Sequence, residues 1–252
     1  MATAPTKPPS ARQTPSSLPL FYRRLVPISP ETFKGKSFAP SARCDFARKT
    51  NIIPLNAAEF ASAQRHYPIV FDREEEQFPM AIVGVRDDDN LFVGADGRWR
   101  TGAYVPAYVR RYPFMLMRRP GDKNYVLCAD MDSEFVVDDE VSPLFKNGKP
   151  TEVVKKAASI CQAFQTEADK TKEFCAALAE QNLLQAKSAV LAHESGRKIR
   201  LGPFRMVDER KFAELPGQVV TDWHGRGWLR LVHAHLFSLA NWARLAARLS
   251  LH

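Results

Sequence analysis

Residues 67–93 read YPIVFDREEEQFPMAIVGVRDDDNLFV. Three apolar runs, 67–71, 80–85 and 91–93, are set apart by short charged stretches. Each run is too short for an ordinary helix and rich in Ile, Val or Phe, so each reads as a strand. The Asp87-Asp88-Asp89-Asn90 run is a turn signal and predicts a hairpin between the last two. Parallel neighbours need crossovers of about a dozen residues or more, so spacings this short predict antiparallel pairing.

The same reading extends outward. Residues 51–55 are extended, and Asn56 with Glu59 has the capping-box pattern for a short helix over 57–64. Residues 114–117, 125–129 and 135–137 are further strands. Residues 151–182 carry Val153, Ala157, Ile160, Cys161 and Phe164 at helical spacing, with Phe174 and Leu178 resuming the pattern after a predicted break near Asp169. A strand is expected over 197–201 and a short helix over 208–215. From Trp228 a single helix is expected, its apolar stripe running through Val232, His235, Leu239, Trp242 and Ala246. The fold class is therefore α+β, with a mainly antiparallel sheet in the N-terminal half and helices packed on it in the C-terminal half.

Composition bounds the rest. The 252 residues, 45% apolar and 25% charged, suffice for one large domain, expected over 19–252 and strand-rich to about residue 150. The net charge is +8, but the first fifty residues hold nine basic side chains against two acids, a net +7. The body is thus nearly neutral, which disfavours a nucleic-acid-binding face on it. Five prolines fall in the first 20 residues, and residues 1–18 are expected to be a disordered basic tail. That head has no apolar run of a secretory signal, so a cytoplasmic location is expected. No stretch approaches the ~18 apolar residues of a membrane span. Cys44, Cys128, Cys161 and Cys175 lack C-x-x-C spacing and are expected to be free thiols.

Catalytic patterns are missing. There is no G-x-S-x-G elbow, no P-loop, and GADGRWRTG at 94–102 is not a dinucleotide fingerprint. Counting twelve from Asp87 reaches Arg98, so residues 87–89 do not open an EF-hand loop. His233 and His235 lie about 200° apart on a helix and cannot share a metal. No metal or cofactor is expected. His235 falls in the apolar stripe, where it is either a hydrogen-bonded core residue or a general base or cofactor contact at the helix–sheet boundary.

Residues 102–114, GAYVPAYVRRYPF, combine Tyr104, Tyr108 and Tyr112 with Arg110 and Arg111. Pro106 starts a short helix and Pro113 ends it near Arg111. The two arginines then project differently, and one can clamp a carboxylate or phosphate. The alternative is that each pairs with an internal acid. Convergence of these residues and His235 on one concave pocket would favour ligand binding, and scatter a partner surface.

Four segments, DGRWRTGAYVPAYVRRYPFML (96–116), DEVSPLFKNGKPTEVVKKA (139–157), LGPFRMVDERKFAEL (201–215) and LRLVHAHLFSLANWARL (229–245), resemble the SapC family of bacterial proteins, as distinct from the peptide-transport permease that shares the name. The resemblance spans about residues 20–250 and brings no catalytic residues with it. It implies an accessory or interaction protein linked to surface-layer or envelope functions. The company such genes keep implies a second possibility, a small-molecule-modifying enzyme or partner subunit working with flavin-dependent halogenase-like or cupin/hydroxylase proteins. Either way a protein partner or small anionic ligand is expected.

Overall fold

A computed structural model describes residues 18–249 apart from 119–120, 122–123, 140 and 193–197. The tail predicted over residues 1–18 lies outside the described residues except for Leu18. The first part of the chain gives strands β1 (Leu25–Pro27), β2 (Ser37–Phe38) and β3 (Ile52–Pro54), helix α1 (Phe60–Ala63), then β4 (Ile69–Phe71) and β5 (Pro79–Ile82). Helix α2 (Ala107–Arg110) precedes β6 (Phe114–Arg118), β7 (Tyr125–Asp130), β8 (Val136–Val137), β9 (Phe145–Lys146) and β10 (Lys149–Pro150). Helix α3 (Glu152–Glu180) leads to β11 (Leu184–Ala192) and β12 (Lys198–Val207), and α4 (Glu209–Ala213), α5 (Gly217–Gly225), α6 (Trp228–Ser238) and α7 (Asn241–Leu249) follow.

All strand pairs are antiparallel. The main sheet has the order β11-β12-β4-β5-β3, and a second has β1-β7-β6. The class is α+β, with helices mostly in the C-terminal half. The two longest strands, β11 and β12, also lie there and join the main sheet where Arg205 sits opposite Phe71.

The hairpin of the 67–93 stretch forms one loop earlier than its turn signal suggests. β4 pairs with β5 around residues 72–78, where the Asp72 carboxylate accepts the N–H groups of Glu74 and Phe78, both at 3.1 Å. Residues 91–93 are buried but are not a strand. The cause is Gly84: a Cβ there would lie 1.7 Å from the Asp89 carbonyl oxygen, so the 86–90 turn folds onto the strand end itself. Asn90 then fixes the run as a loop, accepting the Phe92 N–H at 2.9 Å and donating to the Ala47 carbonyl at 2.8 Å.

Helix α3 runs unbroken for 29 residues, so the break expected near Asp169 is absent. The apolar stripe changes face there because the helix serves two cores. Its first half puts Val154, Ala157 and Cys161 into a small core with Phe33, Phe114, Ala129 and Leu144. Its second half puts Phe174, Cys175 and Leu178 into the large core under the main sheet.

The helix expected from Trp228 is two helices. Ser238 turns inward, its hydroxyl accepting the Ile69 N–H at 2.9 Å and donating to the His235 carbonyl at 2.5 Å. The Asn241 amide donates to the carbonyls of Gln64 (2.7 Å), Ser238 (3.0 Å) and Tyr67 (3.1 Å). These bonds stop α6 and restart the chain as α7. Consequently Val232 and Leu245 are fully buried, whereas Leu239 and Trp242, expected in mid-stripe, are half-buried.

Candidate functional site

The 102–114 segment folds as its prolines dictate. Pro106 caps the single turn α2, Arg111 ends it, and the Tyr112–Pro113 peptide is cis. The turn is held from below by Glu59. One carboxylate oxygen, Oε1, accepts the Ala107 N–H at 2.7 Å and the Tyr104 hydroxyl at 3.0 Å, while Oε2 accepts the Asn56 N–H at 2.9 Å. Burial raises the Glu59 pKa against these hydrogen bonds and the nearby Arg110 charge. Burial, then the Glu59 carboxylate, push the Tyr104 phenol up to about 12.

Two of the three tyrosines anchor the segment. The Tyr108 hydroxyl donates to the Leu20 carbonyl at 3.1 Å and the Tyr112 hydroxyl to buried Asp130 at 3.0 Å. Asp130 also accepts the N–H groups of Arg23 and Arg24, so residues 20–24 strap across this face.

The arginines diverge as expected, but among the described residues neither forms an ion pair with an internal acid. Arg110 is exposed, with Nε donating to the Val105 carbonyl at 3.1 Å and an outer nitrogen donating to the Tyr104 hydroxyl at 3.2 Å. Arg111 is only 7% exposed. Its guanidinium rests on the rings of Phe164 and Tyr108, 4.0 and 4.3 Å from their centroids, and its Nε has no hydrogen-bond partner. The adjacent Cys161 thiol does not supply the missing anion: burial pushes it up to about 11 despite the pull of Arg111, so it stays protonated.

A cavity of about 270 Å³ opens over Arg111 between α2, β6 and the first half of α3. Arg110, Arg111, Lys156, Tyr112 and Ser142 supply its polar groups, Phe38, Phe114 and Ile160 are among its apolar walls, and no carboxylate lines it among the described residues. A second cavity of about 370 Å³ adjoins it, sharing Arg110 and Ile160, and is lined by Asn56, Glu59, Tyr104 and Glu167. An apolar cavity with convergent charge is the ordinary form of a small-ligand site.

Five of the six residues singled out by sequence thus come together: Arg110, Arg111 and Tyr112 border the first cavity, Tyr104 the second, and Tyr108 supports Arg111. His235 lies apart. It is fully buried, with Nδ1–H donating to the Ile69 carbonyl at 2.9 Å and Nε2 accepting the Val207 N–H at 3.1 Å. It therefore ties β4 to β12 and lines none of these cavities. His233 is exposed on the other side of α6, stacked on Phe237. Among the described residues no group of three His, Cys, Asp or Glu could hold a metal.

Sequence reading missed Asn56, Glu59, Lys156 and Phe164. The signal for Lys156 was available, since a lysine stands between Val153 and Ile160 on an otherwise apolar stripe. Glu59 was legible only as a local helix cap.

Fold and site together define an α+β protein with a cation-lined cavity wedged against a long helix. The chain belongs to the SapC family, whose sequence profile matches residues 28–245. No curated protein and no solved structure matches it. Among the described residues no helix is long and apolar enough to cross a membrane.

Proposed function

We propose that this SapC-family chain is a non-catalytic accessory protein that binds the anionic group of a ligand or partner over Arg111, in association with surface-layer or envelope functions. One observation carries the reading: Arg111 is a buried cation with no carboxylate beside it among the described residues. Desolvating an unpaired charge costs several kcal/mol, and a fold keeps such a group where something outside the chain answers it. Lys156 and Arg110 at the same cavity add to the attraction, and a guanidinium recognises carboxylate or phosphate through paired hydrogen bonds. The hydroxyls of Tyr108 and Tyr112 are engaged in holding the fold, which supports binding over chemistry.

The test is retention of bound species. Native mass spectrometry and pull-down of the protein from its source should find an anionic molecule or acidic partner on the wild type. The Arg111→Met protein should lose it. Equal retention by a folded Arg111→Met protein would overturn the reading.

A further inference from the structure

The binding space does not end at Arg110. Arg110 and Ile160 border both cavities, and the second cavity has the opposite polarity. Asn56, Glu59 and Glu167 line it, where the described side chains around the first cavity carry cations and hydroxyls. Asn56 is 2% exposed, its amide nitrogen donates to the Phe164 carbonyl at 3.2 Å, and its Oδ1 has only the capping-box approach of the Glu59 N–H. Glu59 Oε2 accepts a single hydrogen bond, from the Asn56 N–H, and a carboxylate oxygen has room for a second. Burial already disfavours the Glu59 charge, so a cation placed beside it would be held firmly.

Two buried groups with opposite needs therefore stand on either side of one divider. Among the described residues Arg111 has no anion beside it, and Glu59 Oε2 has room for a further donor. The divider itself is yielding: Arg110 is an exposed side chain held by two hydrogen bonds, and Ile160 is 42% exposed. We infer that the joined cavities take a dipolar small molecule, with a carboxylate at Arg111, an ammonium group at Asn56 and Glu59, and an apolar chain between them over Ile160. This inference rests on the anion-binding reading above and adds the second recognition end.

Matched pairs of probes separate the two. Isothermal titration calorimetry of the full chain would compare 4-aminobutyrate, 6-aminohexanoate and 8-aminooctanoate, each with the parent acid that lacks the amine. At least one amino acid of the three should bind tenfold or more tighter than its parent. Glu59→Gln should abolish that preference while leaving the parent acid's affinity within about twofold, which also reports an intact cavity. If Glu59→Gln fails to fold, Glu167→Gln on the rim should reduce the preference at least threefold. Arg111→Met should abolish binding of amino acid and parent alike. Parent acids that bind through Arg111 with no gain from the amine at any length overturn the dipolar ligand and leave the anion site standing. Failure of all six probes overturns both.

Discussion

The Arg111 guanidinium lies 4.0 Å from the centroid of the Phe164 ring, and that aromatic face stands where a carboxylate would be expected. Desolvated cation–π contacts contribute about 2 kcal/mol each, so the Phe164 and Tyr108 rings together at most offset the several kcal/mol that burying the charge costs. Arg111→Met keeps most of the side-chain volume between the two rings and removes the charge. Its melting temperature should equal or exceed that of the wild type in scanning calorimetry. A fall of several degrees would mean that the charge is answered within the fold.

His235 makes stability depend on pH. Burial pushes its pKa down to about 4 in the folded chain, only partly opposed by the bond to the Ile69 carbonyl. In the unfolded chain the ring titrates at its ordinary value of about 6.5. As pH falls, the unfolded state takes up the proton first, so the stabilisation is complete above about pH 6.5 and is lost progressively down to about pH 4. The total is about 3 kcal/mol. Denaturant titrations across that range should show the slope in wild type and a shallower one in His235→Gln.

Thr171 joins the long helix to the site. It is fully buried, donating to the Glu167 carbonyl at 2.7 Å and accepting the Ala57 N–H at 2.8 Å. Thr171→Val keeps the shape and removes the acceptor, leaving a buried N–H beside Asn56 and Glu59 unpaired. The expected cost is about 1–3 kcal/mol by chemical denaturation. A variant as stable as wild type would show that the hydroxyl is dispensable.

The divided C-terminal helix makes a contrast between two leucines. Leu245 is 2% exposed in the large core, so Leu245→Ala should cost about 2–5 kcal/mol. Leu239 is half-buried at the end of α6, and Leu239→Ala should cost less than half as much. Equal losses would restore the unbroken stripe that the sequence suggests.

What sequence could reveal here was what neighbours along the chain decide. Pro106 and Pro113 bracket α2 because their rings restrict the backbone locally, and Asp208 caps α4 by accepting the Arg210 and Lys211 N–H groups. The break after Ser238 was not legible, because Ser238 and Asn241 act on Ile69, Gln64 and Tyr67, more than 160 residues away in sequence. The shift of stripe near Asp169 looked like an interruption, since one sequence cannot say that a helix has two clients. The five clustered residues were legible from composition. The decisive property of Arg111, the absence of an acid beside it among the described residues, exists only in three dimensions.

That shared helix has a consequence for how the protein comes apart. Val154, Ala157 and Cys161 at one end and Phe174, Cys175 and Leu178 at the other belong to different hydrophobic assemblies on one rigid rod. Loosening either assembly frays the rod that the other is built on, so the two cannot melt in separate steps. Tryptophan fluorescence, which reports the large core, and a probe attached beside the small one should trace a single coincident transition. A molecule seated between α2 and α3 would then protect strands it never touches.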